Sequence, residues 1–319
     1  MMQNESREPN FLKDPPNKIS IVVPCYNEEG NIGPLFEAIS RNLEGFSWEL
    51  ILVDDGSSDG TFRAIRALVG NAPRVRGIRF SRNFGHQYAL LAGLSGSSGD
   101  VIVTMDADLQ HPPELIPELV RAWREGFNMV HTRRLSEGQL TWFKRKTSDA
   151  YYSILTRLSD IKIEEGASDF RLMDRRVVDT VLSMQEADLF LRGLVTWMGF
   201  RQKTLEYKVR PRYSGTSKYT FSKMLRFAMT GITSFSTVPL RMGIMIGFVT
   251  SALAFVELIY VVYSKFQGKV VPGWTSMTAL LSFLFGVSFI LMGMLGIYIG
   301  HIFRRVQNRS LYIIEEDTG

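Results

Sequence analysis

The chain has 319 residues, room for two domains, with 37 Lys and Arg against 32 Asp and Glu. That mild excess, a formal net charge of +5, suits a surface that meets anionic head groups or phosphates and demands no nucleic acid. One cysteine, Cys25, excludes an intrachain disulfide, and a mean hydropathy near zero averages two unlike parts, an ordinary soluble stretch to about Arg212 and long apolar runs after about Ser234.

Residues 1–17 are polar, include Pro15-Pro16, and read as a loose tail rather than a signal peptide. Residues 18–25 form a first apolar strand, with Cys25 as a small buried hydrophobe. Asn31 caps a helix carrying Ile32, Leu35, Phe36, Ile39 and Leu43 at helical spacing. A second buried strand, 48–53, ends in Asp54-Asp55, and a glycine-rich turn leads to a helix over 61–69. A third strand spans 75–80 and a helix follows through Ala89, Leu90, Ala92 and Leu94. Val101, Ile102 and Val103 make the central strand, which runs into Asp106, Asp108 and Gln110 before Pro112-Pro113 opens a helix to Glu125. Residues 129–132 are a further strand, 166–172 a turn into a short strand or helix, 180–199 a helix and 204–209 a strand. This alternation predicts an α/β domain over 18–212 with a Rossmann-like, mostly parallel, doubly wound sheet.

The remainder is read against a membrane. Phe221, Leu225, Ala228 and Ile232 share one face of an amphipathic interfacial segment over 213–236. Residues 237–305 hold two apolar runs, about 238–263 and 275–303, each longer than the roughly 20 residues that cross a bilayer. Glu257 is the one acid within them. Arg226 and Arg241 precede the apolar core of the first run, 243–262, and Arg304, Arg305 and Arg309 follow the second, while the connecting loop has only Lys265 and Lys269. By the positive-inside rule the N-terminal domain and a tail over 306–319 are cytosolic. Gly286, Gly293, Gly296 and Gly300 offer close helix packing, so a homo-oligomer is expected.

The acids carry the chemistry. Alternate residues of an extended chain point the same way, so Asp106, Asp108 and Gln110 converge beyond the central strand. Hard oxygen ligands there suit Mg2+ or Mn2+ carrying a diphosphate. Asp54-Asp55 and the 24–28 turn end neighbouring strands on the same rim, where open α/β sheets bind ligands. No Gly-x-x-x-x-Gly-Lys loop and no Gly-x-Gly-x-x-Gly follows a strand, which disfavours an ATPase and a dinucleotide oxidoreductase and leaves the diphosphate to a metal.

Val23-Pro-Cys-Tyr-Asn-Glu-Glu29, Val53-Asp-Asp-Gly-Ser-Ser-Asp-Gly-Thr61 and Met105-Asp-Ala-Asp-Leu-Gln-His-Pro-Pro113 resemble the signature blocks of family-two glycosyltransferases with the GT-A fold. Ser81–Gln87, Ser168–Leu172, Gly215–Tyr219 and the paired apolar runs extend the likeness to the polyprenyl-phosphate glycosyltransferases, the group of dolichol-phosphate mannose synthase and the bacterial bactoprenol glucosyltransferases. The resemblance implies inverting, metal-dependent hexose transfer from a nucleotide sugar, UDP-glucose favoured, to polyprenyl phosphate at the cytosolic face of a bacterial inner membrane. It implies that Pro24, Tyr26, Glu28, Asp54 or Asp55, and Ser168 hold the nucleotide sugar, with Asp106 supporting nucleotide and metal and Asp108 and Gln110 binding metal. Arg133 or Arg134, with Lys144, Arg145 and Lys146, would meet the acceptor phosphate. Arg212, Ser217 and Lys218 would lie at the membrane-side entrance, and Asp169 and Arg171 would face the sugar or acceptor. Asp169 stands where the family often has glycine. His86 and His111 are read as supporting the site. A processive polysaccharide synthase would carry a Gln-x-x-Arg-Trp motif, which this chain lacks, and a scaffold or flippase subunit would not need the acids.

Overall fold

The computed structural model describes residues 12–135, 167–184, 191–208, 238–267, 273–307 and 309–319. The expected interfacial segment 213–236 and the basic residues Lys144, Arg145, Lys146, Arg212, Ser217 and Lys218 lie outside the described residues. The chain divides into two units, one carrying a sheet and the stretch Ser310–Gly319, the other carrying two long helices.

The sheet has eight strands. Its centre is parallel: β1 (Ile19–Cys25), β2 (Trp48–Asp54), β3 (Val75–Phe80) and β4 (Val101–Thr104) stand in the order β4-β1-β2-β3. These strands read as unbroken apolar runs because both faces are covered. Ile21 and Val23 of β1 enter one core layer and Val22 the other; Leu50 and Leu52 of β2 part from Ile51 and Val53 in the same way. The first layer is closed by α1 (Ile32–Asn42), α2 (Thr61–Asn71) and, after a single 3-10 turn, α4 (Ile116–Arg124). The second is closed by α3 (His86–Ser95), α5 (Arg175–Ser183) and α6 (Leu191–Trp197). Residues 89–94 of α3 are all buried, as befits a helix apolar on every side. A Cβ on Gly93 would lie 2.2 Å from Val22 Cγ1, so this helix lies on β1 as closely as a glycine permits. Asn31 stands at the N-cap of α1 without a capping bond; its amide donates instead to Glu28 at 2.5 Å.

The flanks depart from a doubly wound parallel sheet. β6 (Ala167–Asp174) inserts antiparallel between β4 and β5 (Met129–Leu135), and β7 (Gln202–Lys208) continues parallel to β5. Because β6 runs against its neighbours, its first residues lie at the carboxyl ends of β4 and β5. β8 (Ile314–Asp317), within the stretch read as a tail, pairs antiparallel with β3 and forms the far edge. The opposite tail is fastened too: Lys13 donates its backbone N–H to the Arg124 carbonyl and its ammonium to Asp174 at 2.7 Å. Asp174 also accepts from Trp123 Nε1 and caps α5 through the Arg176 N–H.

The second unit holds α7 (Val238–Phe266) and α8 (Trp274–Val306), which meet where a Cβ on Gly243 would lie 3.1 Å from Leu291 Cδ2. Among the described residues one stretch, Phe283–Gly300 of α8, has the length and mean hydropathy (2.1) of a membrane span.

Candidate active site

The rim above β1, β2 and β4 gathers the predicted acids, but in unequal states. Asp106 follows β4 with a partly exposed carboxylate. Its backbone N–H donates to His111 Nδ1 at 3.0 Å, and His111 is wholly buried. Two residues on, Asp108 Oδ1 accepts the Gln110 N–H at 3.1 Å. Leu109 between them has a φ of +59°, a left-handed backbone that costs a non-glycine residue roughly 1 kcal/mol. That turn curls the chain so that Asp108 and Gln110 share one small loop instead of continuing the strand.

His111 organises what lies beneath. Its Nδ1 accepts, so a neutral ring carries its proton on Nε2. Burial pushes its pKa below the ordinary value, an effect that outweighs Asp106. Nε2–H then donates to Ser168 Oγ, 2.9 Å away, while Asp106 Oδ2 lies at 3.5 Å. Arg134 Nη2 stands 3.0 Å from the same nitrogen. With the proton on Nε2 this is a meeting of two donors and not a hydrogen bond, so Arg134 is held from the other side, by Nε donating to the Tyr207 hydroxyl at 3.2 Å. Phe170 stacks on the imidazole with ring centres 5.3 Å apart.

β5 separates the two arginines that the sequence left as alternatives. Successive residues face opposite sides. Arg133 pairs with Glu206 on β7, whereas Arg134 reaches the acids, 3.9 Å from Asp106 Oδ2. β6 delivers Ser168 and Asp169 to the same place. Asp169 is almost buried between the Arg171 guanidinium, with Nη2 at 2.7 Å, and the His86 imidazole, with Nε2 at 3.5 Å. His86, at the start of α3, also stands 3.7 Å from Asp106 Oδ1. Arg171 is turned inward, with its guanidinium on Asp169 and the Ser168 carbonyl. Its guanidinium braces Asp169 from within the fold.

Asp54 and Asp55 are buried as well, and both shape loops. Asp54 Oδ1 accepts the Ser57 N–H at 3.0 Å. Asp55 takes N–H groups of Phe84 and Gly85 at 2.7 and 3.1 Å and the Asn83 amide at 3.0 Å. Burial raises both carboxyls above the ordinary aspartate value against these bonds. Directly after them Gly56, at φ +66°, comes so near the 82–83 backbone that a Cβ would lie 2.4 Å from the Arg82 carbonyl carbon. Two loops are thereby locked together beside Tyr26, which is exposed, and Glu28, whose N–H donates to Thr61 Oγ1. Pro24 is buried in β1.

Among the described residues no three His, Cys, Asp or Glu side chains form a metal cage. The donors that do face the rim fit Mg2+ or Mn2+ all the same, since such ions take one or two carboxylates and complete their octahedron with water and substrate phosphates. Of the residues expected at the site, the structure brings Asp106, Asp108, Asp169, Ser168 and, of the two arginines, Arg134 to this rim. Tyr207, which looks in sequence like one alternating residue of an edge strand, joins them, and so does His111, whose signal was its place directly after the acids.

A parallel sheet with acids at its carboxyl rim and an antiparallel strand feeding the site is the architecture of a nucleotide-sugar transferase of the GT-A type. The chain belongs to glycosyl transferase family 2, whose model matches residues 20–182, and it is a glycosyltransferase. It is 38% identical over 302 residues to the bactoprenol glucosyl transferase of Shigella phage SfII, covering 94% of this chain and 98% of that one. It is 39% identical to a prophage bactoprenol glucosyl transferase homolog of Escherichia coli K12, covering 93% and 98%. It is also 39% identical to the uncharacterized glycosyltransferase YkcC of Bacillus subtilis strain 168, covering 94% of each.

Proposed function

We propose that this glycosyltransferase moves a hexose, glucose from UDP-glucose, onto a polyprenyl phosphate such as undecaprenyl phosphate at the cytosolic face of the membrane. The observation that carries the reading is the convergence of Asp106, Asp108 and Arg134 on one rim, two carboxylates for a metal-held diphosphate and one guanidinium for a phosphate. Near full-length similarity to proteins named bactoprenol glucosyl transferase supports the lipid acceptor and the sugar.

Asp106, Asp108 and Gln110 would hold Mg2+ or Mn2+. When bound, such an ion neutralises the charge that develops on the leaving diphosphate. The protein's own part is placement. The 26–28, 56–61 and 82–85 loops, shaped by Asp54 and Asp55, cradle the nucleoside. His111 fixes Asp106, and Arg171 with His86 fixes Asp169, beside the sugar. Arg134 aligns the acceptor, together with Lys144, Arg145 and Lys146. A phosphate monoester is already largely ionised at neutral pH, with its second pKa near roughly 6. One of its oxygens attacks the anomeric carbon from the face opposite the diphosphate. The bond to the diphosphate oxygen breaks with inversion, and the nucleoside diphosphate departs carrying both bonding electrons. No proton has to move, so alignment supplies much of the rate.

α7 and α8 would cross the bilayer as a hairpin, with the arginines of both flanks inside. A donor panel assayed with undecaprenyl phosphate and with the corresponding alcohol tests the reading. Transfer from UDP-glucose to the phosphate alone is expected; equal use of the alcohol would refute the acceptor assignment.

A further inference from the structure

We propose that the C-terminal strand is a working part of the nucleotide-donor site: Glu315 of β8 holds Arg79 of β3 against Asp54, so that Arg79 is a positioning residue for the loop that Asp54 shapes. The inference rests on the reading of the Asp54 rim as the donor side.

Asp54 is wholly buried at the end of β2. One carboxylate oxygen takes the Ser57 N–H and thereby sets the turn after β2. Oδ2, the other, has no hydrogen-bond partner among the described residues, and neither has Arg79 Nε, which is buried beside it. The two atoms face each other at 3.7 Å. A buried carboxylate facing a guanidinium is far less costly than one facing apolar side chains, and the charge that offsets Asp54 is this one. Arg79 sits on β3 with its guanidinium over the Phe62 ring, 5.2 Å from the ring centre, and its side chain is about one-third exposed. Glu315 Oε2 lies 3.4 Å from the same Nε.

The strand register explains how Glu315 comes to be there. Arg79 pairs with Glu316 and Phe80 with Ile314, so Glu315 is an extra residue in a β-bulge. Bulges re-aim a side chain, and they recur beside active sites. The other acids of β8 hold the strand in place: Glu316 takes Arg66, and Asp317 takes Arg76 at 2.6 Å. Tyr312 stacks on Phe80 with ring centres 4.9 Å apart. Docking and positioning therefore belong to different residues of one strand, and this separates them experimentally.

The test uses the full-length protein in lipid nanodiscs, with UDP and Mn2+ binding measured by calorimetry and UDP-glucose KM and kcat measured in parallel. Glu315→Gln is expected to weaken UDP binding about threefold, as loss of a partly exposed ion pair does. Arg79→Ala is expected to weaken it about tenfold or more, because a buried carboxylate loses the charge that offsets it. Both should raise KM more than they lower kcat, and Arg79→Lys should recover part of the loss. Asp317→Asn, which alters the docking contact to Arg76, should leave UDP binding unchanged. Unaltered binding in Glu315→Gln and Arg79→Ala, or an equal loss in Asp317→Asn, overturns the proposal. If the unaltered chain binds UDP-glucose and UDP not at all, the donor reading falls and takes this inference with it.

Discussion

His111 and Asp106 meet at two points. The Asp106 N–H donates to His111 Nδ1 at 3.0 Å, and His111 Nε2 stands 3.5 Å from Asp106 Oδ2. A buried ring thus fixes the backbone of the first acid and lies beside its carboxylate. Groups that orient a ligand in this way are each worth roughly 10- to 100-fold in metal affinity or activity. His111→Ala is expected to lose transfer on that scale and to raise the Mn2+ concentration needed for half-maximal rate. His111→Asn, whose carboxamide oxygen can accept the Asp106 N–H, should retain more activity than His111→Ala, and an opposite ranking would refute this role.

Asp108 is expected to matter through its charge. Asp108→Asn keeps the shape and an oxygen that can accept the Gln110 N–H, but it removes a hard anionic ligand. Transfer should fall to background while the melting temperature stays within about 2 °C of the original. Normal turnover after chelation and metal restoration would remove Asp108 from the metal site.

The two arginines of β5 should separate cleanly. Arg134→Ala is expected to reduce transfer by about 10- to 100-fold, the scale of a lost charged hydrogen bond, with UDP binding kept. Arg133 pairs with Glu206 on an exposed face, and Arg133→Ala should change the rate less than about twofold. Initial rates on undecaprenyl phosphate decide between them.

His131 sets a pH limit on stability. It is paired with Gln202 at 3.0 Å, and burial, helped by Arg171, pushes it down to about 4 from an ordinary 6.5. The ring stays neutral in the fold while the unfolded chain takes up a proton. The unfolded state therefore binds more protons between these two values, and stability falls as the pH drops from 6.5 toward 4. Above 6.5 the effect is absent. The loss approaches about 3 kcal/mol at its limit. Thermal unfolding between pH 7.5 and 4.5 should show a smaller acid-induced drop in His131→Gln than in the parent.

The central strands were legible because burial on both faces leaves an apolar run and little else; β3 matches its expected bounds, 75–80. The acids were legible because alternation and strand ends are local properties. What lay beyond reach depends on pairing. Nothing within Ile314-Glu-Glu-Asp317 marks a strand: it is three acids and one isoleucine, and it becomes one because Arg76 and Arg79 of β3 and Arg66 of α2 meet its acids. The choice between Arg133 and Arg134 likewise needed the register of β5 against β6 and β7. Asp54 and Asp55 are indistinguishable in sequence, yet one braces a turn and the other ties the Asn83–Gly85 loop.

The reversed direction of β6 has a consequence for how such an enzyme changes its acceptor. β5 ends at Leu135 and β6 begins at Ala167, with Arg133 opposite Ala167 in the ladder. The intervening stretch, which contains Lys144, Arg145 and Lys146, therefore departs from and returns to the catalytic edge. Both ends of that connection are anchored at the carboxyl rim of the sheet, so a change of lipid preference can be sought at Lys144, Arg145 and Lys146 without altering a paired residue of either strand.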